Sequence, residues 1–218
     1  MSRRSLNMPR PYVIIYFTES IDGRIASRTG YSKLSCPYDL KRLHSVRAQV
    51  DAVIIGANTA RVDNPKLTVR LVEGRNPIRV VISASGFLNP NLSLFTVPPL
   101  TVVYTMSMSE ELEREIRAKG AEVVRLNEMS ACRVVEDLYT RFSVRKVLVE
   151  GGGKTIWSFV KEDCFDELRV TVSPVVFGSG RNSVEGEGFD AGKRIKLVSY
   201  SACECGQEIH LVYMNKKD

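Results

Sequence analysis

Six short apolar runs, separated by segments of helical period, constrain this chain more than any other feature of its sequence. They are Pro11–Phe17, Val53–Ile55 with its stop at Gly56, Ile78–Ile82, Leu100–Tyr104, the AEVVRL stretch from Ala121, and Lys146–Val149. Each is rich in β-branched residues and bounded by turn formers, as buried strands are. Between them lie helices. One starts after Ser35 or Cys36, with Pro37 in its first turn and Leu40, Leu43, Val46 and Val50 at helical spacing. Asn58 or Thr59 starts a short one. Ser109 caps EELEREIRAKG, which carries acids first, bases last and Gly120 as a stop. Two more span Ser130–Arg141 and Thr155–Val160. From Glu167 onward the period changes: ELRVTVSPVVF, RIKLVSYSA and QEIHLVYMN alternate in twos with no helix between them. The expected fold is therefore three-layer α/β, with a mainly parallel mixed sheet and an antiparallel C-terminal hairpin at its edge. Residues 1–10 read as a loose basic tail, 11–218 as a single domain, and Thr18–Ser35 as one long loop.

Composition removes several function classes. The formal charge is +6, but Lys and Arg are spread from Arg3 to Lys217 and interleaved with acids, so no nucleic-acid face is expected. The excess suits solubility or an anionic small substrate. No run approaches the roughly 18 apolar residues of a membrane span, and MSRRSLNMPRP lacks the apolar centre of a signal peptide. A cytoplasmic location is expected. Five cysteines, an odd number, fit reduced thiols. Only Cys203 and Cys205 are close in sequence, and a C-x-C with neither a second pair nor a nearby His is a weak metal signal, so no metal is expected.

In an open α/β sheet ligands collect beyond the carboxyl ends of the strands, here after Phe17, Ile55, Ile82 and Val149. Val50–Arg70 presents a strand stopping at Gly56 before small polar residues, which suits a phosphate at a helix start or an ordinary N-cap. Gly151, Gly152 and Gly153 allow a ligand close to the backbone, or a tight turn between strand and helix. Glu150-Gly-Gly-Gly-Lys-Thr is no Walker loop, because Leu148 holds the place of its first glycine, and Ile156 breaks G-x-G-x-x-G. There is no G-x-S-x-G elbow, and His44 and His210 are the only histidines. What remains is glycine, hydroxyls, arginines and a few carboxylates. That set suits a borrowed redox cofactor and a phosphorylated substrate.

Four motifs in order carry a family resemblance: S-I-D-G-R at Ser20–Arg24, R-A-Q-V-D-A-V-I-I-G-A-N-T at Arg47–Thr59, D-N-P-K-L-T-V-R at Asp63–Arg70, and V-E-G-G-G at Val149–Gly153. From about Pro11 to Tyr213 the chain resembles the reductases of riboflavin biosynthesis, the dihydrofolate-reductase-like RibD C-terminal domain. It is similar to their stand-alone form, since the H-x-E and P-C-x-x-C signatures of the deaminase in bifunctional members do not occur. The resemblance implies a homodimer that transfers a hydride from NADPH or NADH to C1′ of a ribosylamino-pyrimidine 5′-phosphate, opening the sugar to a ribityl chain. By position it implies cofactor contacts at Thr18, Leu34, Ser35, Gly56, Thr59, Asp63, Ser83, Gly151, Gly152, Gly153, Lys154, Thr155 and Ile156. Substrate contacts fall on Arg24, Ser32, Arg47, Leu67, Arg70 and Glu150, with the arginines toward the phosphate. Glu150 and Asp63 are the catalytic candidates. Three places depart from the family: Arg24 stands where Lys is frequent, Leu34 replaces an aromatic residue in a loop one residue shorter, and the strand end at Ser83 matches the family only loosely. Two other readings stay open, a reductase of another pterin-like or pyrimidine substrate and a non-catalytic nucleotide-binding module.

Overall fold

In the computed structural model, which describes residues 9–216, the apolar runs become neighbours in one sheet. The elements in chain order are β1 (Tyr12–Ser20), β2 (Arg24–Ser27), α1 (Pro37–Ala48), β3 (Ala52–Gly56), α2 (Ala57–Asp63), β4 (Ile78–Ile82), α3 (Ser93–Thr96), β5 (Thr101–Thr105), α4 (Glu110–Ala118), β6 (Glu122–Arg125), α5 (Ala131–Phe142), β7 (Lys146–Gly151), α6 (Gly153–Lys161), β8 (Glu167–Ser173), β9 (Gly180–Asn182), β10 (Ile195–Ala202) and β11 (Ile209–Asn215). Nine strands form the main sheet in the order β10-β11-β8-β1-β7-β3-β4-β5-β6. All pairings from β8 to β6 are parallel, and β11 and β10 add the antiparallel edge.

Alternate residues along each central strand feed two separate cores. Val13, Ile15, Ile54, Val80, Val102 and Val149 face one layer with Val134, Val135 and Leu138 of α5 and Ile156 and Phe159 of α6. Ile14, Val53, Ile55, Val81, Val103 and Leu148 face the other, with Val46 of α1, Ala60 of α2 and Ile116 of α4. This two-sided burial explains why the runs are uniformly apolar. Helix ends follow local chemistry. Ser109 Oγ accepts from Leu112 N at 3.3 Å and Ser130 Oγ from Arg133 N at 3.4 Å, each satisfying a first-turn donor.

The structure departs from the sequence reading at short or polar elements. Thr18–Ser35 is no continuous loop: β1 runs on to Ser20, Gly23 turns the chain at φ +76°, and β2 pairs with β9 as a small second sheet. Gly180 makes that pairing possible, because a Cβ there would stand 2.0 Å from Ala26 O. Helix α2 begins at Ala57 with Gly56 as its cap, since the Thr59 hydroxyl is taken by Gly152 N at 2.9 Å. Helix α6 begins at Gly153 rather than Thr155, and the one-turn α3 had no sequence signal. Most of the basic tail, residues 1–8, lies outside the described residues.

Candidate active site

The carboxyl ends of β1, β3, β4 and β7 bring Thr18, Gly56, Ile82 and Glu150 to the wall of one cleft of about 840 Å³. Of the residues singled out in the sequence, Ser32, Leu34, Ser35, Arg47, Thr59, Asp63, Leu67, Gly152, Gly153, Lys154, Thr155 and Ile156 also line it. Four do not. Arg24 lies on β2 next to the lining residues Ile25 and Ala26, and the Arg70 guanidinium bonds Thr68 Oγ1 at 2.6 Å on the exposed side. Ser83 is buried behind Ile82, and Gly151 stands behind the turn, joined to Gly152 by a cis peptide.

Glu150 does not face the cleft alone. Arg47 of α1 donates from Nε to Glu150 Oε1 at 2.5 Å and from Nη2 to Oε2 at 2.6 Å. Its remaining nitrogen, Nη1, donates to Thr68 O at 3.2 Å. Three of the five N–H donors of Arg47 are therefore engaged in fixing Glu150 and in closing the Leu67–Arg70 segment. His44 sits under this pair. Its Nδ1 accepts from Arg70 N at 2.9 Å, which leaves the proton on Nε2 facing Arg47 Nη1 at 3.5 Å. Burial first, then the charges of Arg47 and Arg70, push the His44 ring down to about 4, so it is neutral at pH 7.

A second polar group lies behind Thr18. The Thr18 hydroxyl donates to Asp39 Oδ2 at 2.7 Å and accepts from Ser35 Oγ at 2.9 Å. Asp39 Oδ1 accepts from Tyr16 at 2.6 Å and from Thr171 at 2.7 Å. Burial pushes the Asp39 carboxyl up, but the hydroxyls of Ser35, Tyr16, Thr171 and Thr18 outweigh it and hold the group below its usual value. Thr18 and Ser35 are thus locked in place by a buried anion that no local motif signals. At the mouth, Asp63 is raised by desolvation against the opposing charge of Arg181. Tyr16, Arg61, Arg181 and Glu185 also line the cleft and were not singled out in the sequence.

Two helix starts meet across the cleft. Neither α2, capped by Gly56, nor α6, capped by Gly152, has a side-chain cap, so their first-turn donors have no side-chain partner. The glycines set the spacing: a Cβ on Gly56 would stand 2.3 Å from Thr155 Oγ1, and one on Gly153 2.5 Å from Asn182 O. With Lys154 beside them, these donors fit the pyrophosphate of a dinucleotide. Away from the cleft, the C-x-C pair is not isolated as its sequence context suggested. Cys36, the N-cap of α1, and Glu208 join Cys203 and Cys205 in one cluster.

The RibD C-terminal domain family matches residues 11–211. The chain is 34% identical over 200 residues to the 2,5-diamino-6-ribosylamino-4(3H)-pyrimidinone 5′-phosphate reductase of Aquifex aeolicus, covering 86% of this chain and 88% of that one. Among solved structures, the deaminase/5-amino-6-(5-phosphoribosylamino)uracil reductase of Thermotoga maritima superposes with a TM-score of 0.80 at 28% identity. That match covers 95% of this chain, which spans 57% of the Thermotoga chain. The dihydrofolate reductase of Enterococcus faecalis shares the fold at a TM-score of 0.57 and 14% identity, over 94% of this chain and 97% of that one.

Proposed function

The chain belongs to the RibD C-terminal domain family, and from that premise we propose that it reduces the ribosyl group of 2,5-diamino-6-ribosylamino-4(3H)-pyrimidinone 5′-phosphate to the open ribityl chain. The observation that carries the reading is the single cleft into which the β1 end, α1, the β3–α2 turn and the β7–α6 turn all project, with the Arg47–Glu150 pair in its wall.

The cofactor is a reduced nicotinamide dinucleotide, NADPH with NADH as the alternative, and it supplies a hydride to C1′. The uncapped starts of α2 and α6, with Thr59, Lys154, Thr155 and Ile156, would hold its phosphates, and Thr18, Leu34 and Ser35 would hold it along the same cleft. Asp63 closes the mouth. Ser32, Leu67 and Glu150 hold the substrate, with Arg24 and Arg70 on the outer rim toward its phosphate. Glu150 acts as a fixed acceptor for the ribose or pyrimidine, because Arg47 holds both its oxygens. As C1′ gains the hydride and its bond to the ring oxygen breaks, that oxygen takes a proton. Asp63, raised by desolvation, or a water it orients delivers that proton.

The substrate and cofactor are water-soluble, which suits a cytoplasmic enzyme, and among the described residues no helix is long and apolar enough to cross a membrane. The assembly we propose is a homodimer. Its support is the outer strand β10, where Leu197, Val198 and Tyr200 are exposed.

Loss of reduced-nicotinamide absorbance on adding the ribosylamino-pyrimidine phosphate tests the reaction. Oxidation with that substrate and not with a pterin is the expected result. Cofactor binding without oxidation would mark a non-catalytic nucleotide-binding module instead.

A further inference from the structure

The β10–β11 hairpin ends in the turn Cys203-Glu-Cys-Gly-Gln-Glu208, which is folded back against the N-terminus of α1. Gly206 holds the turn at φ +73°, with its N–H on Cys203 O at 2.8 Å, and Cys203 N donates to Glu208 O at 2.8 Å. The closed turn presents Cys203 and Cys205 on one side. Cys36 meets them from α1, 167 residues away in sequence, with its Sγ 3.6 Å from Cys203 Sγ. One ligand atom from each of Cys36, Cys203, Cys205 and Glu208 lies within 4.8 Å of every other.

All five cysteines are free thiols. The 3.6 Å separation is far from the roughly 2.05 Å of a disulfide. It is close to the roughly 3.8 Å that a tetrahedral zinc ion, bonded to sulfur at about 2.3 Å, imposes between its ligands. Glu208 gives independent evidence. It is 3% exposed; Oε1 accepts from Cys36 N at 2.7 Å, whereas the buried Oε2 has no hydrogen-bond partner among the described residues. A buried carboxylate oxygen with no donor, beside three thiols, is a group in want of a cation. Asp39 N, in the first turn of α1, donates to Cys36 Sγ at 3.4 Å, at the positive end of that helix. Cys203 also borders an adjoining surface recess of about 280 Å³.

We propose that Cys36, Cys203, Cys205 and Glu208 bind one Zn²⁺ ion that fastens the N-terminus of α1 to the turn of the C-terminal hairpin. The ligands are three sulfurs and one oxygen in a closed set of four, as a structural zinc site has. Each thiol that binds releases its proton to water, and no oxidant or reductant enters. The site is separate from the cleft, but Leu34 and Ser35, which line the cleft, directly precede Cys36. The ion therefore anchors the loop that shapes the cleft wall.

The test is Co²⁺ titration of the full chain, reduced and stripped of metal. Thiolate-to-cobalt charge-transfer bands and intense tetrahedral d–d bands should grow to one equivalent and vanish on adding Zn²⁺. Cys205→Ser, at the half-exposed position, should weaken Co²⁺ binding by more than about 100-fold, beyond the roughly 10–100-fold that loss of an outer hydrogen-bond partner costs. Glu208→Gln keeps an acceptor for Cys36 N but removes the charge, and should weaken binding with the fold intact by circular dichroism. Cys132→Ser, outside the cluster, should leave the bands unchanged. Absence of thiolate bands in the wild-type chain, or a Co²⁺ affinity unchanged in Cys205→Ser, would overturn the proposal.

Discussion

Arg47 and Glu150 have side chains 8% and 10% exposed, so the cost of separating them is set by burial more than by the strength of their attraction. Arg47→Ala leaves a carboxylate nearly out of water, and a destabilisation of about 3–5 kcal/mol is expected in urea unfolding. Glu150→Gln keeps the volume and one acceptor, so it should fold with a smaller loss while kcat falls. Unchanged turnover in that variant would remove Glu150 from the reaction. Below the pair, His44 links stability to pH. Its native value of about 4 lies beneath the 6.5 of a free ring, so the unfolded chain takes up a proton that the native ring refuses. Stability from His44 is therefore full above pH 6.5 and lost as pH falls toward 4. Between pH 7 and pH 5 the loss should be on the order of 2 kcal/mol. His44→Asn preserves an acceptor for Arg70 N and should flatten the unfolding free energy over that range; an unaltered pH slope would show that other groups govern it.

At the level of elements, the β3–α2 and β7–α6 turns are fitted to each other through glycine. Gly56→Ala sets a methyl group 2.3 Å from Thr155 Oγ1, and overpacking of this kind costs about 1–3 kcal/mol. Thr155→Ala removes the clashing oxygen and leaves its Cβ at 3.6 Å, so the double variant should regain most of the lost stability. Additive losses in thermal melts would mean that the two turns do not meet this way. The same turns show what a sequence discloses. Strands β1, β3, β4, β5 and β7 were legible because burial on both faces leaves a run of apolar residues with no tertiary knowledge needed. The β2–β9 sheet was not, because Arg24–Ser27 and Gly180–Asn182 are short and polar, and their pairing exists only once residues some 150 positions apart meet. The start of α2 was misplaced for a related reason: Thr59 reads as a cap locally, but its hydroxyl serves Gly152.

Over the whole molecule, parallel crossovers collect the site from distant segments, and this decides which of its residues a motif discloses. Glu150, Thr59 and Asp63 sit in motifs of the resembled family. Asp39, which locks Thr18, and the pairing of Arg47 with Glu150, 103 residues apart, depend on α1 crossing the sheet and leave no local signal. The same topology leaves one edge unfinished. Strand β10 ends the sheet with Leu197 46%, Val198 56% and Tyr200 74% exposed, and an outer strand with such side chains is open to pairing. A twofold axis beside β10 would cover these residues on both copies at once, since an isologous contact uses the same patch twice. Light scattering after gel filtration should give twice the 24.4 kDa chain mass. Tyr200→Asp combined with Leu197→Asp should return the mass to that of one chain, because two carboxylates per copy would face each other across the axis. Met106→Asp, at a 45% exposed position following β5 toward the opposite edge, should leave the dimer intact. A dimer that survives the β10 variants would place the contact elsewhere and leave that edge to some other cover.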